Sequence, residues 1–163
     1  MARTDNKPNI TPSIFDRLLD DAPEVSHEPV ADRFQSVREL ERAVARDLEA
    51  LLNTRQETLE ELPSEFQEVN RSLVAYGLPD FTSLSLMSEE DRHRIRRAVE
   101  QAIAEFEPRL QRVRVTLEAP RENDRGLRFR IDAQLPVDPA PEPVTFDAVL
   151  QLNTKQYVVQ GAS

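Results

Sequence analysis

Two stretches of the chain repeat apolar residues every three or four positions, which is the spacing of one face of an α-helix. The first covers residues 37–53. Ser36 immediately precedes it and Glu39 lies in its first turn, which is the spacing of a capping box. In that arrangement each residue's side chain accepts a hydrogen bond from the other's free backbone N–H. The second helix is expected to begin after Ser88 and to end before Pro108, whose ring clashes with the preceding turn.

Shorter helical patterns lie outside these two stretches. Ser13 is placed to cap a short amphipathic helix that ends at Pro23, and its apolar side comprises Ile14, Phe15, Leu18 and Leu19. Residues 23–33 are acidic and carry two prolines, so they are predicted to be a linker. Residues 65–75 favour a further short helix, and residues 76–80 favour a turn. The sequence therefore predicts a flexible arm with a short helix and linker over 1–33, and a single domain over 34–163.

From Val113 onwards the apolar residues alternate with polar ones, which is typical of strands with one buried face. The alternation covers 113–117, 127–135 and 144–152, and a fourth strand is expected over 156–160. Turn-forming residues at 123–126, 136–143 and 153–154 separate these segments. The sequence thus predicts an α+β fold, with N-terminal helices packed on one face of a C-terminal antiparallel β-meander of three to four strands.

Composition narrows the chemistry available to this chain. It has no cysteine, two histidines and a net charge of −9 over 163 residues. With no cysteine and few histidines we expect no metal and no cofactor. We also expect no nucleic-acid partner, because an acidic protein repels phosphate on average. The absence of an apolar stretch long enough to span a bilayer predicts no direct membrane insertion, and the polar N-terminus lacks a signal-peptide pattern, which predicts a cytoplasmic protein.

Common catalytic motifs are absent, which leaves paired carboxylates as the remaining route to an enzyme. Glu105 and Glu107 flank Phe106, and two carboxylates at a suitable separation can hydrolyse glycosidic bonds. A peptidoglycan-cleaving hydrolase is therefore one alternative, and a generic cytoplasmic adaptor is another. A basic cluster on the helix after Ser88 predicts either a solvated face with ion pairs or a docking face for an acidic partner; it comprises Arg92, His93, Arg94, Arg96 and Arg97.

Four segments resemble, in order along the chain, the signature segments of the TssE family of type VI secretion baseplate proteins. They are residues 13–18 (SIFDRL), 47–55 (DLEALLNTR), 76–80 (YGLPD) and 106–110 (FEPRL). That family is related to a wedge protein of contractile phage tails that carries a lysozyme-like label. The resemblance implies an α+β fold with a small antiparallel sheet, and a structural role without catalysis.

The resemblance also implies partners. A TssE-type protein joins TssF and TssG in a wedge, with TssK nearby, in a cytoplasmic baseplate docked at an inner membrane complex, and it presents its sheet to the TssB/TssC sheath. By resemblance Glu107, Pro108 and Arg109 anchor the protein to the wedge core. If these residues serve binding more than folding, the variant with alanine at both Glu107 and Arg109 should melt near wild type and fail to co-purify with TssF and TssG.

The last predicted strand is the expected contact with the sheath. Tyr157, Val158 and Val159 are β-prone and carry neither charge nor proline, and only three residues follow Gln160. An uncovered edge strand offers free N–H and C=O groups to an added strand. Val158→Pro is accordingly expected to block strand addition by the sheath.

Overall fold

The computed structural model describes residues 10–18, 24, 36–56, 67–70, 72–85, 87–118, 127–151 and 156–161. Its helices are α1 Ile14–Leu18, α2 Val37–Asn53, α3 Gln67–Asn70 and α4 Glu89–Phe106, and a 3-10 turn covers Leu73–Ala75. Its strands are β1 Gln111–Leu117, β2 Arg128–Leu135, β3 Glu142–Gln151 and β4 Gln156–Gly161. The predicted arm before Ile10, nearly all of the linker, Leu19, Phe66 and the turns at 123–126 and 153–154 lie outside the described residues.

Helix α2 begins as the sequence predicts. The Ser36 hydroxyl accepts a hydrogen bond from Glu39 N at 3.3 Å, and Ser36 N donates to Glu39 Oε2 at 2.6 Å, so both halves of the capping box are present. Val44 and Leu48 are fully buried on the face that the periodicity predicts. The helix ends at Asn53, as predicted, and Thr54 continues the chain in an extended conformation.

Helix α4 also keeps its predicted bounds. The Ser88 side chain accepts a hydrogen bond from Asp91 N, which caps the first turn. Ile95, Val99 and Ile103 are buried, and the helix ends at Phe106, two residues before Pro108. Because these apolar residues recur at helical spacing, one face of α4 is removed from water, and that burial is the main term stabilising its position.

The four strands form one antiparallel sheet in the order β1-β2-β3-β4, so the predicted meander is confirmed with four strands. Phe129, Ile131 and Phe146 point to the buried face. On the opposite face Arg130 and Asp147 are cross-strand partners, and their side chains form an ion pair at 3.1 Å. Helix α2 packs along β4 and α4 packs along β1, which encloses the core on one side of the sheet.

Helix α1 does not pack by its apolar side. Ile14, Phe15 and Leu18 are 76%, 76% and 74% exposed. The polar side of the helix faces the domain instead, where the Asp16 side chain is 5% exposed and binds Arg46 of α2 at 2.7 Å. The apolar spacing predicted the helix correctly, but it does not decide which side of a single exposed turn contacts the domain.

The predicted turn at 76–80 contacts the end of α2. Leu78 N donates to Thr54 O and Gln56 N donates to Leu78 O, both at 2.8 Å, in a short parallel bridge. Gly77 has φ +111°, and a Cβ there would lie 2.4 Å from Thr54 O. Only glycine fits both the conformation and the close approach.

Candidate partner-binding surface

The Glu107–Pro108–Arg109 turn lies between α4 and β1. Glu107 N caps the helix by donating to Ile103 O at 2.9 Å, and Leu110 N donates back to Glu107 O at 3.1 Å. Glu107 is only 4% exposed. It is the one buried charged residue in the described part of the chain.

Arg109 satisfies this buried carboxylate. Its Nε donates to Glu107 Oε1 at 2.7 Å, its backbone N donates to the same oxygen at 3.2 Å, and its Nη2 donates to Oε2. Such a forked, charge-assisted contact is among the stronger hydrogen-bonding arrangements in proteins. These contacts lie within the protein itself, so the turn is held together by its own side chains.

Asp47 of α2 extends the contact to a chain of alternating charges. Its Oδ2 accepts from Arg109 Nη2, and its Oδ1 accepts from Arg46 at 3.0 Å. Arg46 also binds Asp16 of α1. We call the five residues Asp16, Arg46, Asp47, Glu107 and Arg109 the charge network. It joins α1, α2 and the α4–β1 turn through side chains alone.

The electrostatics of the charge network follow from these contacts. The hydrogen bonds that Arg109 donates to Glu107 raise the pKa of its guanidinium, burial opposes that rise, and the hydrogen bond to Asp47 adds to it, so the guanidinium stays charged. Burial raises the pKa of the nearby Tyr76 hydroxyl, and the negative charges of Asp47 and Glu107 raise it further because they repel a phenolate. Burial opposes ionisation of Asp16, but hydrogen bonds from Ser13 and Arg46 outweigh it and lower the pKa.

The four segments of the TssE resemblance come together around these contacts. Asp16, Asp47, Tyr76 and the Glu107–Arg109 turn each come from a different segment, and the Tyr76 ring packs edge-on against Phe106 at 5.2 Å. The segments at 47–55 and 76–80 meet a second time, where Arg55 forms an ion pair with Asp80. Sequence reasoning singled out Glu107 and Arg109 but missed the roles of Asp16, Arg46 and Asp47, because nothing local pairs residues so far apart.

The edge of β4 is covered, contrary to the premise on which Tyr157, Val158 and Val159 were selected. Tyr157 N donates to Asn53 Oδ1 at 2.7 Å, and Tyr157 O accepts from Asn53 Nδ2 at 2.8 Å. Val159 N donates to Glu49 Oε2 at 3.0 Å. Residues of α2 supply this cover, which a search for charge or proline within the strand itself does not detect.

Val158 has a different orientation from its two neighbours. Backbone groups alternate along a strand, so the N–H of Val158 points towards β3, where Val149 is its register partner. Proline at this position would therefore disrupt the native pairing of β3 and β4 rather than block an added strand. Val158→Pro would therefore not report on strand addition alone, and the expectation that Tyr157, Val158 and Val159 meet the sheath stays a prediction.

The other candidate chemistry is explained by local contacts. Glu107 is buried and bound by Arg109, so its carboxylate is not offered to a substrate together with that of Glu105. In the basic cluster Arg94 pairs with Glu90 one turn earlier at 3.0 Å, and Arg96 contacts His93 at 2.8 Å. Both contacts lie within α4, as expected for a solvated helix face.

Among the described residues, no group of histidine, aspartate and glutamate side chains is arranged to hold a metal ion. Nor does any helix in those parts of the chain combine the length and the hydropathy needed to cross a membrane.

Comparison with known proteins gives a family match. Residues 38–140 match the family described as "Baseplate wedge protein gp25", a span that includes α2, α4, β1, β2 and the Glu107–Arg109 turn. No curated protein matches the chain. A chain of a solved structure, "The baseplate complex from the type VI secretion system", is similar at 22% identity and a TM-score of 0.46, covering 70% of this chain and 96% of that chain. The chain belongs to the baseplate wedge protein gp25 family, and it is accordingly a structural subunit of a baseplate.

Proposed function

We propose that the chain is a TssE-type subunit of a type VI secretion baseplate, where it binds the wedge core of TssF and TssG near TssK. The observation that carries this proposal is the convergence of the four TssE-like segments on the charge network and on the adjoining Thr54–Leu78 bridge. The four segments are distant in sequence but adjacent in space, so their shared positions form one surface. A single surface of this kind is what binding to one partner requires.

The wedge contact is assigned to Glu107, Pro108 and Arg109. Pro108 is exposed at the tip of the turn, and the Arg109 side chain is 26% exposed. No hydrogen bond from Arg109 Nη1 is found within the described residues, which leaves planar donors for a carboxylate or carbonyl of a partner. Glu107 then acts by holding the guanidinium, not by touching the partner.

The sheath contact is assigned to the sheet, with the β4 edge at Tyr157, Val158 and Val159 as the docking strand for TssB/TssC. The baseplate would lie in the cytoplasm, docked at the inner membrane complex. The baseplate domain would extend from residue 34 to 163, and residues 1–33 would form an arm that carries α1. We further propose that the protein works by assembly and not by catalysis.

Affinity purification from the native cell tests this assignment. Wild-type protein should recover TssF, TssG and TssB/TssC, and Arg109→Lys should recover less TssF and TssG because lysine keeps the charge but loses the planar fork. Glu41→Gln is a matched control, since Glu41 lies on α2 outside the charge network. Normal recovery with Arg109→Lys would contradict the role of the turn. Lysis of peptidoglycan by the purified protein in a turbidity assay would favour the hydrolase instead.

A further inference from the structure

At the outward edge of β4, side chains of α2 bind the backbone groups that a neighbouring strand would otherwise bind. A strand residue directs its N–H and its C=O to the same side, and in β4 the outward-facing groups belong to Tyr157 and Val159. Asn53 accepts from the N–H of Tyr157 and donates to its C=O. A primary carboxamide carries the same donor and acceptor as a peptide group. Asn53 therefore takes the place of one residue of a fifth strand.

Glu49, one turn before Asn53 on α2, also takes the place of a backbone group of an added strand. Its carboxylate oxygen lies where a carbonyl of an added strand would accept the N–H of Val159. Both side chains are mounted on the helix that packs along β4, so their positions are set by that packing. Covering an edge with polar side chains prevents unintended strand pairing without adding a strand.

A groove lies beside the outward edge of β4. It has a volume of about 850 Å³ and lies between α2 and the strand, lined by residues that include Arg38, Arg42, Glu49, Val159 and Gly161. Arg38 and Arg42 are exposed and have no ion-pair partner among the described residues. At β1 the N–H of Val115 is bound by Glu100 of α4 at 2.9 Å.

We propose that Asn53 and Glu49 are displaceable caps that hold the β4 edge closed in the free protein, and that an extended acidic segment of the sheath replaces them. This inference rests on the proposed docking of the sheath at β4. The incoming strand pairs with the backbone of Tyr157 and Val159, and its carboxylates face Arg38 and Arg42 across the groove. At the opposite edge the N–H of Val115 keeps its hydrogen bond to Glu100.

Amide hydrogen exchange of the isolated protein tests the capping step. In the variant with both Asn53→Ala and Glu49→Ala, exchange at Tyr157 and Val159 should accelerate about tenfold or more, since each N–H loses its acceptor. Exchange at Val158 should stay near wild type because its N–H belongs to the β3–β4 ladder. Glu41→Ala, a carboxylate on the same side of α2 with no hydrogen bond to β4 in the described structure, is the matched control. Unchanged exchange at Tyr157 and Val159 would overturn the capping.

Binding of purified TssB/TssC complex tests the displacement step. The double variant should bind about tenfold more tightly than wild type, because no caps have to be displaced. Arg38→Glu with Arg42→Glu should weaken binding at low salt. Equal or weaker binding by the cap variant, alongside measurable binding by wild type, would overturn the inference and leave sheath docking intact. If neither protein binds TssB/TssC while both recover TssF and TssG, sheath docking itself fails, and this inference fails with it.

Discussion

Glu107 and Arg109 bind each other across a single intervening proline. One oxygen of the Glu107 carboxylate accepts from both the backbone N–H and the Nε of Arg109, at 3.2 and 2.7 Å. The glutamate is buried, whereas the arginine is partly exposed. The turn therefore contributes to folding as well as to any binding, which differs from the initial expectation that its alanine variant melts near wild type.

Arg109→Ala should lower the free energy of unfolding by about 3 kcal/mol, because it leaves the Glu107 carboxylate buried without its partner. Asp47→Asn should cost less, about 1 kcal/mol, since Asp47 is partly exposed and an amide oxygen can still accept from Arg109. Urea denaturation of both variants checks this order. If Arg109→Ala unfolds within about 0.5 kcal/mol of wild type, Glu107 is solvated in solution and the expectation from sequence was right.

Leu48→Ala and Ile103→Ala should each lower the free energy of unfolding by about 2–5 kcal/mol, because each removes a fully buried side chain from the core and leaves a cavity. Leu73→Ala is the control, since Leu73 is 85% exposed and its truncation removes little buried surface. Equilibrium denaturation followed by circular dichroism provides the measurement. Similar losses at all three positions would mean that the faces of α2 and α4 are wrongly assigned.

Gly77→Ala should destabilise the protein by about 2 kcal/mol or more, because alanine at φ +111° is strained and its Cβ would collide with Thr54 O. Gly161→Ala is the matched control. A Cβ at Gly161 would approach only the flexible side chain of Glu41, at 2.8 Å, which can move aside. A thermal melt of each variant measures the difference, and equal melting temperatures would refute the tight contact between the 76–80 turn and α2.

Ionisation of the Tyr157 hydroxyl should lower the free energy of unfolding at high pH. Burial raises the pKa of its hydroxyl to about 12, above the value near 10 in an unfolded chain. Between these two values the folded state binds more protons than the unfolded state, so the free energy of unfolding decreases as pH rises through the window. The contribution is fully present below pH 10 and should decline by roughly 2 kcal/mol towards pH 12.

The comparison of wild type with Tyr157→Phe isolates this effect from other groups that titrate at high pH. The ring still packs against Phe129 in the variant, whereas the ionisable hydroxyl is removed. Urea denaturation at pH 9, 10 and 11 gives the free energies. Parallel pH dependence in the two proteins would show that the Tyr157 hydroxyl is solvated and that β4 is more open than the structure indicates.

The sequence by itself determined the bounds and the buried faces of α2 and α4, and it placed the four strands to within two residues at each end. The features responsible are local: helical and strand periodicity, the Ser36–Glu39 capping box and the position of Pro108 are all contained within one element and its flanks. The order of segments also determined the family resemblance, which the match over residues 38–140 supports.

Only the tertiary structure decided what the polar residues do. Arg109 meets Asp47 across 62 positions of sequence, and Asn53 meets Tyr157 across 104, so neither contact leaves a pattern within a single element. The same reason explains why β4 looked uncovered in the sequence although α2 covers it, and why the apolar side of α1 was not expected to face solvent. Periodicity specifies which face of an element is apolar, but the packing of the other elements determines which backbone groups and charges that face or edge meets.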